Sequence, residues 1–226
     1  MDLLTSIQNR NTKVAVIGLG YVGLPLAVGF GKAGYRVLGV DLDEDKLESI
    51  GRRVSYIPDV ATNDLAAVVE EGRFAATNDY DALSDTDAIF ICVPTPFDAM
   101  KAPDLTYVLG SARGIAQRLQ RGQIVVLQST TYPGTTEEFV LPILEGSGLR
   151  AGEDFYLAFS PERINPGDKE FTVENTPKVV GGVTPRCTEL ARSLLSHLFA
   201  HVHVVSSPRA AEMSKLLENI YRSVNI

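Results

Sequence analysis

Short apolar runs alternate along the chain with longer stretches in which apolar residues recur every three or four positions. The runs at 13–17, 36–40, 88–93, 124–127, 155–159, 178–180 and 202–205 predict strands. Several, such as Ile124-Val-Val-Leu127, lack polar alternation, which is how a parallel strand covered on both faces reads. The periodic stretches at 22–33, 44–50, 65–71, 105–119, 135–144 and 184–198 predict helices. Strand and helix in strict succession predict an α/β fold: a mostly parallel sheet with helices on both faces, joined by right-handed crossovers.

The two ends differ from this middle. Residues 1–12 read as a short leader with a helical turn. Near the other end Pro208 suits a first helical turn, and Met213, Leu216, Leu217, Ile220 and Val224 then recur at helical spacing without a glycine or proline stop. This predicts the first part of an element belonging to something larger. An ordinary helix packed on the sheet is the alternative.

Composition narrows the classes. A chain of 226 residues, 45% hydrophobic, is enough for one large α/β domain or one domain and the beginning of a second. Its net charge of −7 and scattered basic residues argue against a nucleic-acid surface. Apolar runs are broken within a few residues, which excludes a membrane span, and no signal peptide is suggested, so the cytoplasm is the expected compartment. The two cysteines, Cys92 and Cys187, form no disulfide framework or zinc pattern. His197, His201 and His203 match neither a metal signature nor an acid–base triad, and a structural or surface role is expected.

The first strand runs into Gly18-Leu-Gly20-Tyr21-Val22-Gly23, a G-x-G-x-x-G loop with a strand before it and a helix after it. In that context Gly18 allows the tight turn, Gly20 admits a pyrophosphate to the backbone, and Gly23 lets the helix pack against the strand. The helix N-terminus offers unpaired amides to the phosphates. The second strand ends at Asp41, whose carboxylate can accept both hydroxyls of an adenine ribose and would repel a 2′-phosphate. Together these predict a Rossmann-type domain that binds NAD rather than NADP. A non-catalytic dinucleotide sensor or scaffold and S-adenosylmethionine binding are the other uses of such a loop, and a Walker A loop is absent.

Later strands also end in polar junctions, where ligands bind in an open α/β sheet. The third predicted strand leads into Pro94-Thr95-Pro96, and Thr95 is placed to contact a cofactor. The next ends in Gln128-Ser-Thr130-Thr-Tyr-Pro-Gly-Thr135, with Thr130 nearest the strand and Thr135 suited to a helix cap. The following one empties into Ser160-Pro-Glu162-Arg163, either a substrate-handling pair or a loop salt bridge. In the last helix Glu212, Lys215 and Asn219 share one face. Lys215 and Asn219 facing a cleft can stabilise an oxyanion; a solvated Glu–Lys stripe is the plainer reading.

Taken in order, these segments resemble the UDP-glucose/GDP-mannose dehydrogenase family. The matching stretches are Gly18-Leu-Gly-Tyr-Val-Gly-Leu-Pro-Leu-Ala, Gly39-Val-Asp-Leu-Asp, Val93-Pro-Thr-Pro, Pro103-Asp-Leu-Thr-Tyr-Val and Ser129-Thr-Thr-Tyr-Pro-Gly-Thr-Thr. They continue with Ser160-Pro-Glu-Arg-Ile-Asn-Pro-Gly, Lys178-Val-Val-Gly-Gly and the run from Ala211 to Ile226. The resemblance implies oxidation of a sugar C6 alcohol to a carboxylate with two NAD+, through an enzyme-bound thiohemiacetal and thioester. It implies that Thr130 and Glu162 position water and assist proton transfer, that Lys215 and Asn219 stabilise oxyanions at C6, and that Arg163 joins the substrate contacts. Gly18, Gly20, Tyr21, Val22, Gly23, Asp41, Pro94, Thr95 and Thr130 would hold the cofactor; no metal is implied.

The family's cysteine lies in a glycine-rich stretch ending Cys-x-Pro-Lys-Asp, and neither Cys92 nor Cys187 stands in one. The expectation is therefore an NAD-binding part over residues 1–207 and the start of a central connecting helix over 208–226. The C-terminal half would supply the nucleophile and a UDP-binding domain, the full-length enzyme would be a homodimer, and this part alone would be inactive. UDP-glucose enzymes carry a second glutamate four residues after the loop glutamate, where this chain has Pro166. That form and Ser55-Tyr-Ile-Pro-Asp-Val are similar to the branch acting on UDP-N-acetylhexosamines, with UDP-N-acetylglucosamine preferred.

Overall fold

The computed structural model describes residues 2–96, 103–162 and 176–225. Its centre is one eight-stranded sheet in the order β3-β2-β1-β4-β5-β6-β7-β8. The strands are β1 (Lys13–Ile17), β2 (Arg36–Val40), β3 (Phe74–Thr77), β4 (Ala88–Ile91), β5 (Ile124–Leu127), β6 (Tyr156–Phe159), β7 (Lys178–Gly182) and β8 (Val202–Val204). All neighbours pair in parallel except β6 and β7. This is the Rossmann-like, mostly parallel sheet expected.

The continuous apolar strands have a simple cause. Alternate side chains leave a strand on opposite faces, and here both faces are buried. Val14, Val16, Phe90, Ile124 and Val126 join one core with α2 (Gly23–Lys32), α4 (Thr62–Glu70) and α7 (Pro185–Leu195). Ala15, Ile17, Ile89, Ile91, Val125 and Leu127 join the other with α5 (Thr106–Ala116) and α6 (Leu141–Glu145). Two shorter helices complete the set before the last one: α1 (Leu3–Gln8) from the leader and α3 (Glu44–Gly51) after β2. The last, α8 (Pro208–Asn225), presents Met213, Leu217, Ile220, Tyr221 and Val224 as exposed apolar side chains.

Three departures from expectation have physical reasons. β3 was not foreseen: it is a four-residue edge strand with two alanines, too short and too weak in β-branched residues to stand out. β4 ends at Ile91 instead of Val93, because the Ile91 carbonyl takes the N–H groups of both Gln128 (2.9 Å) and Ser129 (3.2 Å) as the chains separate. The helix foreseen over 135–144 is split into a π turn at Thr136–Val140 and then α6. Leu141 donates five residues back to the Thr136 carbonyl, and Pro142, lacking an N–H, cannot restore the ordinary ladder.

The histidines are structural or superficial, as expected. His201 and His203 are exposed at the β8 edge. His197 shares a hydrogen bond with Tyr35 Oη, which donates to the Ile7 carbonyl at 3.1 Å and ties α1 to the body. Burial, and then the charge of Arg10, push the His197 pKa below its ordinary 6.5. Burial likewise raises Tyr35 to about 12. A depressed histidine stabilises the fold above its unfolded pKa and loses that contribution as the pH falls through the folded value. Urea titrations from pH 7 downward should therefore show wild type losing stability below about 6.5, with a smaller loss in His197→Gln; equal slopes would refute this.

Candidate functional site

β1 lies between β2 and β4, and the chain winds outward from it in both directions. That is the switch point of a doubly wound sheet, where a crevice opens at the strands' carboxyl ends. A cleft of about 970 Å³ occupies the place, lined by Gly18, Gly20, Tyr21 and Val22 from the first turn and by Asp41 after β2. Pro94, Thr95, Ser129, Thr130 and Glu162 line it on the other side of the switch.

Gly18 and Gly23 sit where a side chain would clash, and Gly20 does not. Gly18 has φ +87°, and a Cβ there would stand 2.8 Å from the Cys92 carbonyl oxygen. A Cβ on Gly23 would fall 1.7 Å from the Gly18 carbonyl oxygen, so any side chain would force α2 away from β1. At Gly20, by contrast, no atom lies within 4 Å of such a Cβ. No side chain caps the N-terminus of α2, whose Ncap is Val22. The outcome is an open cradle at the N-terminal end of α2, which suits a pyrophosphate.

Asp41 closes one end. Its Oδ2 accepts from the Leu19 N–H at 2.7 Å and from Lys46 Nζ at 3.0 Å, and its Oδ1 accepts from the Asp43 N–H at 3.0 Å. Burial opposes ionisation of Asp41, but these backbone N–H groups and the ammonium outweigh it and hold the carboxyl below its ordinary range. Oδ1 keeps an acceptor position for a ribose hydroxyl. Lys46 also lies 3.6 Å from Asp43, so two carboxylates surround one ammonium and the net local charge disfavours a 2′-phosphate. Lys46 was missed in the sequence, where nothing but its position in the first turns of α3 marks it. Tyr56, from the segment read for sugar specificity, donates to the Leu19 carbonyl at 2.7 Å and so braces the glycine loop.

At the opposite end Thr95 Oγ1 donates to the Thr130 carbonyl at 2.7 Å, bringing together two residues singled out separately in the sequence. Ser129 Oγ donates to the Val93 carbonyl at 2.7 Å and joins the two strand ends. Glu162 accepts from Lys178 Nζ at 2.7 Å. Lys178 was read as the start of a strand and of a family-matching stretch, without a role; its side chain is 1% exposed, and its ammonium also stands 4.8 Å over the Phe199 ring. A lysine opening an apolar run was the available signal. Burial pushes the Cys92 thiol above its ordinary range. Cys187 is buried as well, its sulfur accepting from the Leu157 N–H.

The face of α8 is resolved differently from expectation. Lys215 is half-buried and Asn219 exposed, and neither is among the described residues lining the cleft. Glu212 is fully buried, which corrects the reading of a solvated Glu–Lys stripe. It caps the chain around Thr136 instead, taking the N–H groups of Gly134 and Thr136. Thr135, foreseen as a cap, makes no cap bond and donates to the Tyr132 carbonyl at 2.7 Å. Arg163 and Pro166 lie outside the described residues. Among those described, no cluster of potential metal ligands is present, and no helix is long and apolar enough to cross a membrane.

Residues 12–202 match the UDP-glucose/GDP-mannose dehydrogenase family, NAD binding domain. The chain belongs to this family. A UDP-N-acetyl-D-glucosamine 6-dehydrogenase of Pseudomonas aeruginosa is 42% identical over 219 residues, 96% of this chain and 51% of its own length. The structure of a UDP-D-ManNAc dehydrogenase from Pyrococcus horikoshii superposes with a TM-score of 0.89 at 35% identity, over 95% of this chain and 51% of that one. A UDP-glucose dehydrogenase from Pyrobaculum islandicum gives 0.82 at 30% identity, over 93% and 49%. The chain thus spans about half the length of the curated relatives it matches. The chain is an NAD-binding domain of this family, and its open cradle at Gly20 and carboxylate at Asp41 fit that cofactor.

The Lys178–Glu162 pair is testable in this domain. Removing the Glu162 carboxylate leaves the buried Lys178 ammonium without its counter-charge, at a cost of about 3 kcal/mol. Glu162→Gln should lose about that much in urea unfolding, and Lys178→Met/Glu162→Gln should recover part of it. A double variant whose loss equals the sum of the two single losses would show that the charges are not coupled.

Proposed function

We propose that this chain is the oxidant-binding part of a nucleotide-sugar dehydrogenase that oxidises the C6 hydroxyl of a UDP-N-acetylhexosamine, UDP-N-acetylglucosamine before others, to the uronate. The observation that carries this reading is the single cleft. It joins the pyrophosphate cradle and Asp41 at one end to Thr95, Thr130 and Glu162 at the other. Bound NAD+ supplies a hydride acceptor. The open glycine loop at Gly20 would hold its phosphates, Asp41 its adenosine ribose, and Thr95 and Thr130 would lie toward its nicotinamide end.

Glu162, fixed by Lys178, accepts a proton or orients water beside Thr130. Lys215 and Asn219, one helical turn apart on α8, stabilise the alkoxide form at C6 more than the parent alcohol. Arg163 contributes to substrate binding. The preference for an N-acetylhexosamine is supported by Pro166 in place of a glutamate and by the similarity to the Pseudomonas enzyme. The whole protein containing this chain would supply the thiol nucleophile from a later cysteine stretch and act in the cytoplasm as a homodimer.

Two measurements test this. Calorimetry on the chain should show NAD bound in preference to NADP. Asp41→Ala should lose about 2 kcal/mol of NAD affinity, the scale of a charged hydrogen bond, and lose less for NADP; no preference in wild type would sink the cofactor geometry. The whole protein, offered a panel of UDP-sugars with NAD+ while reduced cofactor is followed, should oxidise a UDP-N-acetylhexosamine far faster than UDP-glucose. The reverse order would overturn the specificity.

A further inference from the structure

We propose that Glu212 is a positioning residue, which locks α8 in one register against the loop that carries Thr130 and thereby sets where Lys215 and Asn219 stand. This rests on the functional reading of those two residues and adds the device that places them.

Glu212 lies in the second turn of α8 and is 0% exposed. Both of its oxygens are engaged by the segment after β5: Oε2 accepts from the Gly134 N–H at 2.6 Å, and Oε1 from the Thr136 N–H at 2.9 Å and Thr136 Oγ1 at 2.6 Å. Two oxygens on two separate backbone positions fix both the height and the rotation of the helix. A slip of one residue would move the helix about 1.5 Å and turn it about 100°, so no neighbouring register satisfies both groups. Lys215 and Asn219 follow at i+3 and i+7, and therefore inherit that rotation.

Among the described residues, the contacts at the start of α8 hold it less specifically. Arg209 pairs with Glu137 at 3.3 Å and Glu138 at 2.7 Å, but these are surface ion pairs of small worth. Ser207 and Pro208 pack closely on Gly181 of β7, which seats the helix start without fixing its rotation. Burial weakens the ionised form of Glu212, and the bonds from Thr136 and Gly134 offset this only in part, leaving its pKa raised. A carboxylate placed there at a net cost is a poor choice for packing alone. It gives direction, which an apolar side chain cannot.

The second partner is also informative. Thr136 begins the π turn, and its carbonyl is the one Leu141 reaches five residues back. The widened turn and the carboxylate meet at the same residue, six positions after Thr130. The segment is thus held at both ends, by Thr95 on the Thr130 carbonyl and by Glu212 at Thr136.

Glutamine is not a neutral substitute. Its Oε1 can serve Thr136, but its Nε2 then opposes the Gly134 N–H, donor against donor. In the whole protein, Glu212→Ala should lower kcat by about 100-fold, the scale of a catalytic group displaced by an ångström. Glu212→Gln should fall between it and wild type, and NAD affinity should be unchanged in both because the cradle and Asp41 are untouched. A purely structural cap would lower the melting temperature and leave kcat, measured well below melting, at the wild-type value. Hydrogen exchange on the chain supplies a readout independent of turnover: in Glu212→Ala, amides of 130–138 and of α8 should lose protection together while β1–β5 keep theirs. Lys215→Ala separates the two claims. Full kcat in Glu212→Ala beside an impaired Lys215→Ala overturns the positioning role alone. Full kcat in Lys215→Ala overturns the functional reading and the role built on it.

Discussion

The site depends first on how closely three pieces of backbone meet at the glycine loop. The Gly18 carbonyl lies where a Cβ on Gly23 would be, and Gly18 itself presses on the Cys92 carbonyl. The end of β1, the start of α2 and the end of β4 can converge only because these positions lack side chains. Their convergence aims the α2 N-terminus into the crevice between the two halves of the sheet, and it sets the distance between Asp41 on one side and Thr95 on the other. Relax that contact and the cradle widens, the helix field turns away, and the two ends of the cleft lose their common frame.

Buried charge is the second organising element, and among the described residues it stands at the rim of the cleft and in the seams around it. Asp41 is held by two backbone N–H groups and a lysine, Glu162 by Lys178, and Glu212 by Gly134 and Thr136. Elsewhere the two cores beside the sheet are apolar. An apolar contact tolerates sliding, because its strength follows area; a carboxylate between fixed N–H donors does not. The fold uses the first kind of contact for bulk stability. It places the second where a side chain or a loop must keep one position.

The sheet was legible because its strands are buried on both sides, so that Val14 and Val16 serve one core while Ala15 and Ile17 serve the other. The glycine loop and Asp41 were legible because each glycine answers a local steric demand, and the acid follows at the end of the next strand. β3 escaped notice because Phe74-Ala-Ala-Thr77 gains its strand character from pairing with β2, not from its own residues. The split at Thr136–Val140 escaped as well, since apolar periodicity over 135–144 does not distinguish an i−4 from an i−5 ladder. Lys178 and Glu212 were the largest surprises. A charged residue in a helix or strand reads as solvated unless its partner is known, and both partners are distant in the chain.

The sequence by itself determined the α/β succession, the glycine turn after β1, the acid that follows it and, through the order of its junctions, the family. Each of these is written in neighbouring residues, where sterics and periodicity act over a few positions. Only the tertiary structure decided that Thr95 and Thr130 form one contact, that Lys178 lies beneath Glu162, and that Glu212 turns inward to hold the β5 loop rather than outward to meet Lys215. These pairings span 16 to 78 residues, and a buried charge takes whichever partner the packed chain brings within hydrogen-bond reach.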